Sequence, residues 1–204
     1  NPNNPTGTRL DPQKILDLAA MAPNTLVVVD ELYEAFSGDS ALPIIDLNKF
    51  HNVLILRSLS KTAGLAGLRI GFAIGSSDII DKISRVTGPY DINSFAVTAA
   101  LAALQDQEYI NAYVSEVLRA KDWIKNQLLA NNVRHHIGGG NYFLIWPKNE
   151  SSRIETSLRE AGILVRDMKD KPLIEGALRV SIGTVDQMNL FWKSFSTIDS
   201  IQQH

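Results

Sequence analysis

Apolar and polar positions follow two rhythms along this chain. Behind Asp11-Pro12, apolar residues recur at helical spacing, which predicts a capped helix with proline at its first position, running to about Ala22. Leu26-Val27-Val28-Val29 is instead an unbroken apolar run that ends in Asp30. This is the pattern of a buried parallel strand with a polar residue at its C-terminal end. Val53-Leu54-Ile55-Leu56 repeats it and ends in Arg57-Ser58, and Ile70 to Ile74 forms a third short strand after the glycine-punctuated loop Gly64 to Gly71. Strands alternating with helical stretches predict an α/β sheet, in which ligands collect at the carboxyl ends of the strands. Asp30 and the segment from Ser58 to Lys61 fall at such ends.

Helical periodicity then dominates from Asp78 to about Asn131, broken at Gly88-Pro89. The second half changes character. Asn141 to Trp146 reads as a strand, Ser152-Arg153-Ile154-Glu155 as a capping-box helix start, and Ile163 to Arg166 and Leu178 to Ile182 as further strands. Thr184-Val185-Asp186-Gln187 is a second capping box opening the last helix. The pattern predicts part of a larger domain over residues 1–110, with a mainly parallel sheet flanked by helices. A smaller α+β domain is expected over 111–204.

Composition narrows the partners. The 204 residues are 45% hydrophobic and 21% charged with a net charge of −2, so no long-range field draws the chain to nucleic acid or an anionic membrane. A small-molecule partner is expected. The absence of cysteine excludes disulfides and thiolate metal sites, and no metal site is expected. The apolar stretch Phe95 to Leu104 is too short to span a bilayer and reads as core or subunit interface. The opening Asn1-Pro2-Asn3-Asn4-Pro5, without an initiator methionine, reads as the inside of a longer protein.

Four features carry chemistry. Lys61 lies just past a strand, where desolvation would let it form a Schiff base, although a lone loop lysine is ordinarily a surface residue. Asp30 ends an apolar strand, and a buried carboxylate there needs a partner such as a protonated ring nitrogen or an ion pair. Arg69 with the hydroxyls of Ser58 and Ser60 makes a phosphate cradle. Asn1 to Gly7, with two prolines, three asparagines and a glycine, is a stiff turn that holds an asparagine amide in a fixed orientation.

Asn4-Pro5-Thr6-Gly7, Asp30-Glu31-Leu32-Tyr33, Ser58-Leu59-Ser60-Lys61 with Arg69 eight positions on, and Leu178-Arg179-Val180-Ser181-Ile182-Gly183 together resemble the ordered signature of class I/II aminotransferases. The resemblance implies a fold type I enzyme dependent on pyridoxal 5'-phosphate. Lys61 would hold the cofactor covalently and move the proton between substrate α-carbon and cofactor. Asp30 would hold the ring nitrogen protonated, and Tyr33 and Asn4 would hydrogen-bond the ring oxygen. Ser58, Ser60 and Arg69 would bind the cofactor phosphate, and Arg179 the substrate α-carboxylate.

Within the family, the segments from Ser58 to Phe72, Gly88-Pro89-Tyr90 and Gly162 to Asp167 resemble the histidinol-phosphate aminotransferases. There an arginine thirteen residues before the carboxylate arginine binds the substrate phosphate, and Arg166 stands at that spacing from Arg179. That resemblance implies amino transfer between L-histidinol phosphate and 2-oxoglutarate or glutamate, in histidine biosynthesis, by a cytoplasmic homodimer. The 204 residues alone, lacking the family's upstream phosphate contact and ring-stacking aromatic, are expected to be inactive. Threonine-phosphate decarboxylases and aromatic aminotransferases share much of the core motif, and some transcription regulators carry an aminotransferase-like sensor domain.

Gly138-Gly139-Gly140 reads as a flexible connection, because no helix opening with Lys-Ser/Thr follows it. His135 and His136 are adjacent and point apart, which is poor metal geometry. Trp123, Trp146 and Trp192 read as packing residues.

Overall fold

The structure, a computed structural model, describes residues 1–201. The chain forms two compact units, one of residues 1–2 and 8–114, the other of residues 3–7 and 115–204.

The first unit opens on helix α1 (Pro12–Met21). Asp11 caps it by accepting the Gln13 N–H at 2.9 Å, with Pro12 at the first position, as expected. Strands β1 (Val27–Asp30), β2 (Val53–Ser58) and β3 (Gly71–Gly75) make a three-stranded sheet in that order. β1 and β2 are parallel with Val29 opposite Ile55 and Asp30 opposite Leu56, whereas β2 and β3 are antiparallel. Ile15 and Ala19 of α1 pack with Val29, Val53 and Ile55. β1 is not covered on both faces, since Val29 is buried but Val28 is half exposed.

Helices α2 (Ser77–Ser84) and α3 (Ser94–Gln105) follow, and α4 (Gln107–Ala130) runs on into the second unit. The apolar stretch expected as core or interface divides by helix face. Ala96 and Ala100 of α3 are buried with Leu59 and Ile70, while Phe95, Val97, Leu101 and Leu104 are exposed.

The second unit is a four-stranded antiparallel sheet, in order β4 (His135–Ile137), β5 (Tyr142–Ile145), β7 (Leu178–Ser181), β6 (Arg166–Asp167), with helices α5 (Ser151–Glu160) and α6 (Val185–Ile201). Phe143 of β5 meets Phe191 of α6 edge-on at 5.9 Å, and Phe191 stacks on Phe195 at 5.6 Å.

The Thr184 capping box forms as read: Gln187 N–H donates to Thr184 Oγ1 at 3.2 Å and Thr184 N–H to Gln187 Oε1 at 3.0 Å. The Ser152 box does not form. Helix α5 starts two residues earlier, with Glu150 at the N-cap, and the hydroxyls of Ser151 and Ser152 donate instead to Asp167, at 2.8 and 2.6 Å. Nor is Ile163 to Val165 a strand, because pairing with β7 begins only at Arg166. No helix among the described residues is long and apolar enough to cross a membrane.

Candidate functional site

The parallel strands β1 and β2 end in the same local device. Asp30 Oδ1 accepts the Leu32 N–H at 3.0 Å, and Ser58 Oγ accepts the Ser60 N–H at 3.1 Å. Each side chain thereby satisfies a backbone donor two residues on and turns the chain out of the sheet. The Asp30 carboxylate is exposed rather than buried as expected, because β1 has no neighbour on its outer side among the described residues. Tyr33 is buried, and the Lys61 ammonium stands over its ring, 5.7 Å from the centroid.

Beyond β2, the Ser58 hydroxyl donates to Ser60 Oγ at 2.8 Å, and Arg69 follows a single 3-10 turn, Ala66–Leu68. Arg69 adopts φ +56°, a left-handed backbone that costs a non-glycine residue about 1–2 kcal/mol. Its guanidinium is exposed and donates to Ala66 O at 3.2 Å. Two hydroxyls and a guanidinium thus lie within twelve residues at the ends of β2 and β3.

A partly buried charge network centred on Glu31 flanks these residues, and the sequence reading missed it. Arg57 donates from Nε to Glu31 at 2.8 Å and from Nη2 to Ser40 Oγ at 2.8 Å, and Nη1 pairs with Glu34. Glu31 is 2% exposed and also accepts from Ser40 Oγ at 2.9 Å and from the Ala41 N–H at 2.7 Å. Burial pushes the Glu34 carboxyl above its ordinary value and the Glu31 charge adds to this, while Arg57 opposes both. An arginine inside the strand, directly after its apolar run, was the available signal. A cavity of about 480 Å³ adjoins the network, lined also by Ser58, Thr62 and Phe72.

In the second unit, Arg166 of β6 is paired in register with Arg179 of β7. Residues directly opposite on antiparallel strands share a face, and like charges there repel. Neither arginine has a carboxylate partner among the described residues. Arg179 donates from Nη1 to Asn4 Oδ1 at 2.8 Å and lies 5.5 Å over the Tyr142 ring, yet its buried Nε has no partner among the described residues. Two unneutralised arginines with an unpartnered donor have the chemistry to suit an anion. Asp167, bound by Ser151 and Ser152, pins β6 to the start of α5 and so fixes Arg166.

The opening turn is held by Gly138 and Gly139, so this stretch is a packed contact rather than a free connection. Gly139 N–H donates to Gly7 O at 2.7 Å, and the Tyr142 hydroxyl donates to Asn3 O. A Cβ on Gly138 would stand 2.3 Å from Gly7 O, so the two backbones touch only because neither residue has a side chain. Of the nine residues expected from the sequence, Asp30, Tyr33, Ser58, Ser60, Lys61 and Arg69 belong to the first unit. Asn4, Arg166 and Arg179 belong to the second.

These residues fit pyridoxal 5'-phosphate. The Ser58–Ser60–Arg69 set suits a phosphate dianion, the exposed Asp30 carboxylate a ring N–H⁺, and Lys61 beside Tyr33 a covalent anchor next to a phenol.

Comparison with known proteins agrees. The chain is 34% identical over 191 residues to histidinol-phosphate aminotransferase 1 of Pseudomonas fluorescens, covering 92% of this chain and 54% of that protein. Its fold matches the solved L-threonine-O-3-phosphate decarboxylase of Porphyromonas gingivalis at TM-score 0.82 and 27% identity, over 97% of this chain and 62% of that one. It also matches a Sinorhizobium meliloti histidinol-phosphate aminotransferase solved with pyridoxal 5'-phosphate, at TM-score 0.83 and 24% identity, over 98% of this chain and 56% of that one. The chain spans about half the length of the relatives it matches. The sequence profile described as aminotransferase class I and II matches residues 1–194. The chain therefore belongs to the class I and II aminotransferases, a family dependent on pyridoxal 5'-phosphate.

Proposed function

We propose that the protein carrying this chain is an aminotransferase acting between L-histidinol phosphate and 2-oxoglutarate or glutamate, with Lys61 as the lysine that anchors the cofactor. The observation that carries the substrate is the register pairing of Arg166 with Arg179. One guanidinium suits a carboxylate and the other a phosphate, and a substrate bearing both anions would relieve their repulsion.

Bound pyridoxal phosphate supplies the electron sink for the pair left on the substrate α-carbon. The protein's part is to place and move protons. With the cofactor bound, Lys61 Nζ would be the base that takes the substrate α-proton and returns it on the cofactor side. Asp30 holds a proton on the ring nitrogen. Tyr33 and Asn4 donate to the ring oxygen. Ser58, Ser60 and Arg69 bind the phosphate, leaving Arg179 for the α-carboxylate and Arg166 for the distal phosphate. Residues 1–110 would belong to the larger domain and 111–204 to the smaller. The working unit would be a homodimer, and the 204 residues alone would be inactive.

The test is an absorbance titration of the gene-encoded protein, loaded with pyridoxal phosphate. Conversion to the aminated cofactor by L-histidinol phosphate, at far lower concentration than by L-histidinol, is expected. Conversion only by an aromatic amino acid would discard the substrate. Release of carbon dioxide from threonine phosphate would favour the decarboxylase reading that the Porphyromonas gingivalis structure raises.

A further inference from the structure

We propose that the Glu31–Arg57 ion pair, tied to Glu34 and Ser40, is the positioning device that sets the separation of Asp30 from Ser58 and Lys61, and with it the affinity for pyridoxal phosphate. This rests on the cofactor roles proposed above for those three residues.

Glu31 directly follows Asp30, and Arg57 directly precedes Ser58. Backbone pairing between the two strands closes with Asp30 opposite Leu56 and the Glu31 N–H donating to Leu56 O at 2.9 Å. Beyond that bond β1 leaves the sheet, while Arg57 and Ser58 continue to pair with β3. The link between the diverging ends passes to side chains, through the 2.8 Å contact of Arg57 Nε with Glu31.

The rest of the network locks that contact. Both Glu31 oxygens are engaged, one by Arg57 and Ser40 and the other by the Ala41 N–H. Arg57 spends its three nitrogens on three segments, namely the end of β1, the turn at Glu34 and the loop at Ser40. A planar five-donor fork can hold three acceptors at fixed angles, and a lysine ammonium on a flexible stem cannot. Asp30 itself is exposed and fixed by the Leu32 N–H, so its place follows from the neighbour that is clamped.

Energetics point the same way. A buried ion pair adds little net stability relative to a well-packed apolar replacement, and its best-attested use is to select one arrangement. This pair joins two cofactor-binding strand ends at the point where their backbones part.

The experiment compares wild type, the double variant Glu31→Leu/Arg57→Met and Arg57→Lys in the gene-encoded protein. Three quantities are read: the melting temperature without cofactor, the dissociation constant for pyridoxal phosphate from tryptophan quenching, and the absorption maximum of the bound cofactor. The double variant removes the buried Glu31 carboxylate and its partly exposed partner together but leaves the Ala41 N–H without its acceptor, so its melting temperature is expected to fall by no more than about 10 °C. Its dissociation constant should rise about tenfold or more, with a displaced absorption maximum. Arg57→Lys keeps the charge and loses the fork, and should weaken binding about threefold or more without loss of fold.

A folded variant that binds with wild-type affinity and spectrum overturns the positioning role while leaving the proposed enzyme in place. If the double variant does not fold, Arg57→Lys decides, and its collapse would make the pair a folding element and overturn the proposal. A wild-type protein that takes up no pyridoxal phosphate defeats the cofactor reading itself, and the positioning role falls with it.

Discussion

Replacing Arg166 with alanine separates a ligand-binding arginine from a structural one. The arginine is exposed and register-paired with Arg179, and no acid pairs with either among the described residues. Two like charges about 6 Å apart in a water-like dielectric repel by roughly 0.7 kcal/mol. Removing one should leave the unliganded protein as stable as before or slightly more so, by up to about 0.7 kcal/mol in a urea melt. Affinity for a phosphorylated substrate moves the other way. A charge-assisted hydrogen bond contributes roughly 1.5–3 kcal/mol, so its loss weakens binding about 10- to 150-fold. The exposed position places the expected effect at the lower end. The assay is a titration of cofactor absorbance with L-histidinol phosphate and, separately, with L-histidinol, in wild type and Arg166→Ala. Selective loss for the phosphorylated compound, with stability unchanged, is expected. Equal losses for both compounds, or a variant destabilised by about 1 kcal/mol or more, would make Arg166 structural and refute the reasoning.

Other perturbations test the frame around the site. Arg57→Met leaves Glu31, 2% exposed, as an unpaired buried charge, and should cost about 3–5 kcal/mol in a urea melt, restored in large part by adding Glu31→Leu. Thr184→Ala removes a formed N-cap and should cost about 1 kcal/mol without changing cofactor affinity, as read by parallel denaturation and binding curves. Asp167 should make the fold acid-sensitive. Burial alone would raise its carboxyl, but the hydroxyls of Ser152 and Ser151, the Lys169 N–H and the Lys169 charge together hold it below its ordinary value of 3.8. A depressed folded-state value contributes stability that is fully present above pH 3.8 and is lost as pH falls through the lower value. Urea midpoints measured below about pH 5 should therefore fall less steeply in a Ser151→Ala/Ser152→Ala variant than in wild type.

What the sequence made legible was local. Asp11-Pro12 and the Thr184–Gln187 box each close within a few residues, and both form as read. The runs ending at Asp30 and Ser58 announced two strands and their polar ends, because unbroken apolar patterning is read over four or five residues. What escaped depended on partners far along the chain. Ser152 fails as a cap because its hydroxyl is taken by Asp167, fifteen residues on. His135–Ile137 becomes strand β4 with no apolar run to mark it, by pairing with β5. Gly138 gains its reason only from Gly7, more than a hundred residues earlier. The thirteen-residue interval between Arg166 and Arg179 was visible as spacing, but its meaning as a cross-strand pair required the register. Glu31 and Arg57 were overlooked because, in one dimension, each is a charge beside a more conspicuous residue.

The central claim is that Lys61 is the covalent anchor of pyridoxal phosphate, and borohydride reduction tests it most directly. The protein incubated with the cofactor is reduced, digested and mapped by mass spectrometry, with Lys61→Ala as control. A pyridoxyl group on Lys61 in wild type, and on no lysine in the variant, is the predicted result. An adduct on another lysine in wild type, or none at all, would contradict the account.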